Sequence, residues 1–309
     1  METVAFEQLI TRGCGIDVHE KNVVVTISGV GLVKETRTYL TFTEDLESLL
    51  SWLKSNGITH GAMESTGVYW KPIYNILGEE MNIMLVNARH MKNVPGRKTD
   101  KVDSEWICKL LLSGLLNGSF VPAQQVRETR ELNRYCIKLT QTLASEKNRI
   151  HKILEDANIK LSSVVSDIDG VVARKLIDGM IANKLSVTEL VELNYHKKMK
   201  ASKAELVKSL TGRLTDHHRF MLAEIYAHIK YLEQRIEQLD EKIKNHLTIS
   251  AELLEQLCAI PGVSQKSATQ ILSEIGTDLS TFPTEKHFAR WAGMAPGNNE
   301  SAGKKKVDA

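Results

Sequence analysis

Strand and helix signals alternate through the first third of the chain, and this alternation constrains its fold more than any other feature. Cys14 to Ser28 is rich in β-branched residues and ends at Gly29, and Leu32 to Phe42 follows it after a short glycine turn. β-Branched residues favour strands, and glycine supplies the backbone freedom that a tight turn needs. We therefore predict a hairpin at the start of a sheet.

Further helix and strand signals succeed one another up to about Pro122. Thr43 is placed to cap a helix whose leucines recur at helical spacing and which Asn56 and Gly57 end. The elements expected after it are strands at Ile58 to Glu64 and Met81 to Asn87, and helices at Trp70 to Glu80 and Lys101 to Leu116. This order predicts a mixed sheet with helices packed on it.

Four acidic residues stand out within this pattern. Asp17 lies inside an apolar strand, Glu64 ends another strand, and Asp100 and Asp103 lie three residues apart on one helix face. A carboxylate in a buried strand is costly unless it is paired or binds a metal ion. We predict that the four acids hold Mg²⁺ or Mn²⁺ for phosphodiester chemistry on nucleic acid. The alternative for Asp100 and Asp103 is that they only cap their helix.

A cluster of basic residues surrounds the second acid pair. Lysine and arginine beside a metal site would hold nucleic-acid phosphates, and their contribution to affinity would fall as the salt concentration rises. A solvated loop is the alternative for such a cluster. The residues predicted to bind phosphate here are Arg89, Lys92, Arg97, Lys98 and Lys101.

The middle of the chain carries two long heptad patterns, from Leu132 to Ala157 and from Leu222 to Ile243. Apolar residues at alternating four- and three-residue steps predict a coiled coil, in which Glu146 interrupts the first seam. The seam closes either within one chain, as a helical hairpin, or between chains. Ser162 to Gly212 is expected to form a smaller helical insert between the two helices.

One face of the first long helix is basic. Arg127, Arg130, Arg134 and Lys138 follow one another at helical spacing. We expect this stripe to follow a nucleic-acid backbone, and the alternative is that it is only the solvated side of the coil.

A Pro-Gly turn opens the last part of the chain. Pro261 and Gly262 precede a helix expected from Gln265 to Ile275. Backbone amides at a helix N-terminus can approach a phosphate, and the helix dipole favours negative charge there. We predict a helix-hairpin-helix that binds a DNA backbone through Gly262 and Lys266. An ordinary turn before an amphipathic helix is the alternative.

Composition sets limits without indicating a function. The chain has 309 residues and a formal net charge of +2, so a basic nucleic-acid surface has to be local. Its four cysteines show neither a C-x-x-C pair nor zinc-finger spacing, which predicts reduced and mostly buried thiols. The chain shows no signal-peptide pattern and no apolar run of about 18 residues, so we expect a cytoplasmic protein without a membrane partner.

Five blocks of sequence resemble those of one family. They are Gly15-Ile16-Asp17-Val18-His19, Met63-Glu64-Ser65-Thr66-Gly67, Lys98-Thr99-Asp100-Lys101-Val102-Asp103, Ile260-Pro261-Gly262-Val263, and the stretch from Trp291 to Lys304. In this order they are similar to the motifs of the DEDD transposases, the insertion-sequence one-ten family that includes the Piv invertase. The resemblance covers nearly the whole chain.

The resemblance implies a fold of class α/β plus all-α. It implies an RNase H-like, RuvC-like metal-binding domain over residues 1–125, a coiled-coil linker with a helical insert over 126–250, and a C-terminal transposase domain over 251–309. It gives the four acids a catalytic role with Mg²⁺ or Mn²⁺. It also implies that Ser301 is the nucleophile, with Lys304 and Lys305 adding positive charge at the same phosphate.

The same resemblance implies the partners. In this family the metal-binding domain of one subunit and the serine domain of another are thought to form a composite site. A noncoding bridge RNA that pairs with donor and target DNA is thought to guide it. We therefore expect DNA, a bridge RNA and further copies of the chain as partners, in a homodimer or tetramer.

One departure from the family and two rival functions bear on this expectation. Family members continue beyond the lysine-rich motif with a basic helical segment, whereas this chain ends at Ala309. We expect a shortened C-terminal domain that anchors Ser301 poorly.

The rival functions are a DEDD-type nuclease or Holliday-junction resolvase that uses water as nucleophile, and a catalytically inactive nucleic-acid-binding remnant.

Overall fold

The computed structural model divides the chain into two compact units, Met1–Val121 and Pro122–Ala309. For Ala251 and for residues 300, 301, 304 and 305 it describes the backbone alone. The residues that the structure describes are 9–65, 67–87, 103–196, 199–246, 251–280, 282–295, 300–301 and 304–305.

A five-stranded mixed sheet forms the first unit. Its strands are β1 (Arg12–Val18), β2 (Asn22–Gly29), β3 (Leu32–Leu40), β4 (His60–Glu64) and β5 (Asn82–Val86). They lie in the order β3-β2-β1-β4-β5, with β2 antiparallel to both β1 and β3, and β4 parallel to both β1 and β5. The prediction of a mixed α/β sheet is confirmed.

The start of the sheet differs from the predicted hairpin. The run from Cys14 to Ser28, expected as one strand, is two antiparallel strands, so that the sheet opens with three strands instead of two. The backbone N–H of His19 donates to the carbonyl of Asn22 at 3.0 Å and closes the turn between them. The turn contains Glu20 and Lys21 but neither glycine nor proline, and the usual sequence signal of a turn is therefore missing.

In the described part of this unit, helices cover the two faces of the sheet: α1 (Thr43–Ser55), α2 (Trp70–Leu77) and α3 (Asp103–Leu112). Leucines of α1 and α2 pack with Ile16 and Met63 on one face. Leu110 and other residues of α3 pack with Ala62 and Val86 on the other. Thr43 begins α1 instead of capping it, because Phe42 occupies the cap position.

Two long antiparallel helices, α4 (Gln124–Asp156) and α8 (Asp216–His246), organise the second unit. Contacts join Cys136 to Asp240, Glu146 to His228, and Asp156 to His218, so the two helices run in opposite directions. The predicted coiled-coil seam thus closes within one chain, as a helical hairpin.

A helical insert lies between the two long helices in sequence, as predicted. It contains a 3₁₀ turn (Leu161–Ser163) and the helices α5 (Val171–Ala182), α6 (Val187–Asn194) and α7 (Lys203–Leu210). Its apolar residues share a core with α4 and α8; Leu176, for example, packs in one cluster with Ile150 and Ile229.

The C-terminal part of the second unit begins with two helices joined by the Pro-Gly turn. It contains α9 (Ala251–Cys258), α10 (Gln265–Ile275), α11 (Glu285–Trp291), and the two-residue strands β6 (Glu300–Ser301) and β7 (Lys304–Lys305). Gly262 has a φ of +87° in the turn between α9 and α10, a conformation that favours glycine. The hydroxyl of Ser264 caps α10 by accepting from the backbone of Ser267 at 3.1 Å.

The cysteines are mostly buried, as predicted. Cys14, Cys108 and Cys136 are buried, whereas Cys258 is exposed. Burial raises the pKa of the Cys108 thiol to about 12, so this thiol is protonated at neutral pH. Among the helices that the structure describes, none is long and apolar enough to cross a membrane.

Candidate metal centre and nucleic-acid interface

Asp17 and Glu64 lie side by side at the carboxyl ends of β1 and β4. Ile16 pairs with Met63 in this parallel register, so Asp17 and Glu64 follow one residue later on neighbouring strands. Ile16 and Met63 point into the core under α1 and α2. Because side chains alternate along a strand, the two acids point to the opposite face, which α3 covers.

The first turn of α3, which begins with Asp103, lies over that same face. A Cβ atom at Gly15 would overlap the carbonyl oxygen of Ser104 and lie 2.9 Å from the Cα of Cys108. The start of α3 therefore rests directly on β1, two residues before Asp17. A glycine inside a strand often marks such a close approach of another backbone, and Gly15 has this role here.

Side-chain contacts hold the first turn of α3 against the sheet. The hydroxyls of Thr26 and Ser104, both fully buried, are 2.9 Å apart. Nζ of Lys34 on β3 donates to Glu105 at 2.9 Å. Neither contact was predicted, since each depends on the register of strands that are distant in sequence from α3.

Asp17 has a histidine neighbour. The side chain of Asp17 is 18% exposed, and its Oδ2 lies 3.2 Å from Nε2 of the exposed His19. His19 lies at the surface, with 57% of its side chain exposed. The contact gives this carboxylate a partner next to it in the chain.

Carboxylate oxygens are the ligands that Mg²⁺ and Mn²⁺ prefer, and two of the four predicted acids, Asp17 and Glu64, lie beside each other on this sheet face. The ranges that the structure describes contain no group of three or more His, Cys, Asp or Glu side chains arranged to hold a metal ion. Asp100 lies outside those ranges.

The basic cluster predicted around the acids also lies outside the described residues. This applies to Arg89, Lys92, Arg97, Lys98 and Lys101. Their binding to nucleic-acid phosphates stays a prediction.

Two residues of the basic stripe on α4 have a partner within the chain. Arg134 donates to both carboxylate oxygens of Glu274 at 2.9 Å. Nε of Arg130 lies 3.2 Å from the same carboxylate, and its guanidinium also donates to the backbone carbonyl of Glu274. Burial lowers the pKa of Arg130, and Glu274 opposes this shift.

These contacts attach α10 to α4, a role that neither interpretation of the stripe included. Lys138 is exposed on the same helix, and Arg127 is partly buried. That the stripe also binds nucleic acid stays a prediction.

The hairpin residues predicted to bind a DNA backbone differ in their surroundings. A Cβ atom at Gly262 would meet nothing within 4 Å, so the turn is open to an approaching ligand. Lys266 instead contacts Asp240 of α8, with Nζ and Oδ2 3.1 Å apart. Asp240 also accepts from the thiol of Cys136 at 3.3 Å. Lys266 thus connects α10 to the coiled coil.

Ser301 lies in a short antiparallel hairpin. It pairs with Lys304, and Glu300 pairs with Lys305. The pairing brings a basic residue opposite the predicted nucleophile through the backbone ladder. The three side chains at issue, those of Ser301, Lys304 and Lys305, lie outside the described part of the structure.

Two family models match the chain, one towards each end. A DEDD-type transposase model of IS110 matches residues 14–159. The model described as "Transposase IS116/IS110/IS902 family" matches residues 254–308. The first match contains the four predicted acids, and the second contains Ser301 and the Pro-Gly hairpin.

Individual relatives match shorter stretches. The pilin gene-inverting protein of Moraxella bovis is 30% identical over 122 residues, which cover 38% of this chain and 36% of that protein. The transposase for insertion sequence element IS1328 of Yersinia enterocolitica is 27% identical over 84 residues, which cover 27% of this chain and 25% of that protein. The chain thus spans about a third or less of the length of these curated relatives.

Among solved structures, T. thermophilus RuvC in complex with Holliday junction substrate is similar over 36% of this chain and 100% of that one. The sequence identity is 9% and the TM-score is 0.26. A likeness of this size does not bear on mechanism.

Proposed function

Because the chain belongs to the IS110 family of transposases, we propose that it is a DNA recombinase that cuts and exchanges strands of donor and target DNA. The observation that carries this proposal is the position of Asp17 and Glu64. They lie next to each other on parallel strands, on the sheet face against which α3 begins with Asp103.

In this proposal Asp17, Glu64, Asp100 and Asp103 hold Mg²⁺ or Mn²⁺. A divalent ion stabilises charge on a reacting phosphate and lowers the pKa of a bound hydroxyl. The sheet fixes the backbones of Asp17 and Glu64, and the packing of α3 on Gly15 fixes the turn that begins with Asp103. Arg89, Lys92, Arg97, Lys98 and Lys101 would hold the phosphates of the substrate.

Ser301 is the proposed nucleophile. Its Oγ attacks a DNA phosphorus and forms a phosphoserine ester, while one P–O bond to a deoxyribose breaks. The serine hydroxyl loses its proton and the released deoxyribose hydroxyl gains one. Attack of that hydroxyl on the phosphoserine of another strand end would reverse these steps and join the strands. Lys304 and Lys305 are proposed to stabilise the phosphate charge.

A bridge RNA is the proposed guide, and additional copies of the chain are the proposed protein partners. An open Gly262 turn and the exposed Lys138 support a nucleic-acid surface on the second unit. The RNA would supply sequence recognition, and the protein would contact shape and backbone.

The test combines an adduct assay with two pairs of variants. The nucleic acid that copurifies with the protein is sequenced first, and labelled DNA is chosen from that sequence. The protein is then incubated with this DNA and Mg²⁺. Covalent adducts are separated under denaturing conditions. We expect Ser301→Ala to remove the adduct and Asp17→Asn to remove both adduct and cleavage. Ser280→Ala and Glu44→Gln, changes at exposed residues outside the site, should behave like the original protein.

Each alternative has its own outcome in this assay. Cleavage that persists in Ser301→Ala without an adduct would indicate a nuclease or resolvase that uses water. A discrete structured RNA among the copurified nucleic acid supports the guide. Absence of cleavage with every substrate and metal would indicate a binding protein and would contradict the proposal.

A further inference from the structure

A chain of three hydroxyl groups connects β3, β2 and α3. Oγ1 of Thr36 lies 2.8 Å from Oγ1 of Thr26, which in turn lies 2.9 Å from Oγ of Ser104. Thr26 and Ser104 are both fully buried. A buried hydroxyl pair is directional, because each group loses its hydrogen bond if the other moves.

We propose that the hydrogen bond between Thr26 and Ser104 is a positioning contact that sets where Asp103 stands relative to Asp17. The inference rests on the proposed metal-dependent function, since it gives these two residues a role only if Asp103 is a ligand. Neither Thr26 nor Ser104 belongs to the acids or basic residues assigned to the site above.

The sheet register places the contact between Thr26 and Ser104 close to two of the proposed ligands. Thr26 pairs with Gly15 across β1 and β2, and Asp17 is two residues further along β1 on the same face. Ser104 directly follows Asp103 at the start of α3. The contact therefore involves Ser104, which is next to Asp103 in the chain. Its partner Thr26 pairs with Gly15, which lies about 7 Å along β1 from Asp17.

Backbone atoms of Ser104 and Cys108 lie directly over Gly15, so this packing sets how closely α3 approaches β1. Apolar side chains of α3 pack in one cluster with Ala62 and Val86, and the thiol of Cys108 contacts the carbonyl of Gly13 at 3.5 Å. The hydroxyl of Thr26 adds a directional contact on the neighbouring strand, at the first turn of α3. Lys34 and Glu105 form a second connection, but it is partly exposed and joins two longer side chains.

Paired substitutions separate positioning from stability. Thr26→Val and Ser104→Ala each leave one buried hydroxyl without this partner, so both lower stability. The double variant Thr26→Val/Ser104→Ala replaces both partners by apolar groups, which is close to neutral for stability when the shape is kept. The matched control is Thr36→Val, because Thr36 contacts Thr26 without contacting Ser104.

The experiment measures binding of Mn²⁺ to the full chain by calorimetry, with unfolding in urea as the stability measure. We expect the double variant to unfold near the midpoint of the original protein and to bind Mn²⁺ about tenfold more weakly, as changes to contacts behind a metal ligand do. Thr36→Val should bind Mn²⁺ as the original protein does. A double variant that binds Mn²⁺ with unchanged affinity would overturn the inference.

Hydrogen exchange in the absence of metal tests whether the contact fixes the start of α3, independently of Mn²⁺ binding. Backbone amides of residues 107–110, which donate within α3, should exchange about tenfold faster in the double variant than in the original protein or in Thr36→Val. Unchanged exchange there would also overturn the inference. Failure of the proposed metal role has a different signature, namely that the original protein and Asp17→Asn show the same absence of Mn²⁺ binding.

Discussion

Arg134 on α4 holds both carboxylate oxygens of Glu274, which lies 140 residues later near the end of α10. Arg130, one helical turn earlier, contacts the same carboxylate and is only 19% exposed. Two cations on one helix face thus share one acid of the C-terminal segment. The basic stripe on α4 is, over this turn, an attachment surface for α10.

Glu274→Gln is expected to loosen α10 from the coiled coil. A neutral amide cannot satisfy two guanidinium groups, and exposed or half-exposed ion pairs contribute about 0.2–1 kcal/mol each. We expect the stability to fall by no more than about 1 kcal/mol and limited proteolysis between α10 and α11 to accelerate. Glu255→Gln on α9, at an exposed position, is the control. Equal proteolysis rates for the two variants would contradict the attachment.

Gly15→Ala is expected to displace α3. The new Cβ would overlap backbone atoms of Ser104 and Cys108, which cannot turn aside as a side chain can. Overpacking of this kind costs about 1–3 kcal/mol, and more where backbone has to move. We expect urea unfolding to show a lower stability and calorimetry to show a lower affinity for Mn²⁺.

Gly13→Ala is the matched control for that change. Its Cβ would meet methyl groups of Leu111 and Leu112 at 3.1 and 3.3 Å and the carbonyl of His60 at 3.3 Å. Because leucine side chains can adjust, we expect a smaller loss of stability than for Gly15→Ala. A larger loss at position 13 would show that α3 does not rest on Gly15.

Periodic elements of this fold were predictable from the sequence. The helix Gln265–Ile275 has the predicted bounds, and the two heptad helices pair, because a 3.6-residue repeat over several turns is a strong local signal. The turn from His19 to Lys21 was missed because it lacks glycine and proline. Whether the coiled-coil seam closes within the chain or between chains depended on partners that a heptad pattern does not identify.

The candidate site was predictable only in part. Asp17 and Glu64 stand out because an acid in an apolar strand needs a partner. Thr26 and Ser104 do not, since buried hydroxyls are common and their meeting depends on strand register. The contact between Arg134 and Glu274 likewise joins helices far apart in sequence, and spacing along α4 alone suggested solvent or nucleic acid instead.

Asp169 gives the second unit a pH-dependent contact. Its side chain is 6% exposed, and it accepts two hydrogen bonds of 2.7 Å from Arg174 while Lys147 lies beside it. Burial alone would raise the pKa of this carboxyl, but the hydrogen bonds from Arg174 and Lys147 outweigh burial and hold the pKa below its ordinary value. Arg174 also pairs with Glu233, so the network ties the insert to α8.

Asp169→Asn should therefore lower stability in a pH-dependent way. A carboxyl whose pKa is depressed by folding stabilises the protein above its unfolded pKa of about 3.9, and this contribution is lost as the pH falls through the folded pKa. We expect a loss of about 3 kcal/mol at pH 7 and a smaller difference from the original protein below about pH 4. Urea unfolding at several pH values measures this, with Asp178→Asn on the exposed side of α5 as control. A pH-independent difference would contradict it.

Glu146→Leu is expected to stabilise the coiled coil. Glu146 occupies a seam position of α4 with a side chain that is 6% exposed, and it contacts Nδ1 of His228 at 3.3 Å and Nη1 of Arg149 at 3.0 Å. Both partners are largely exposed, so removal of the carboxylate leaves neither of them buried and unpaired. Replacing a buried ionic contact by a well-packed apolar side chain is often neutral or stabilising by about 1–4 kcal/mol. We expect urea unfolding at pH 7 to give a gain of about 1 kcal/mol for Glu146→Leu and none for Glu146→Ala, which removes the charge without filling the space. A leucine variant less stable than the original protein would mean that the contacts with His228 and Arg149 outweigh the cost of burying the carboxylate.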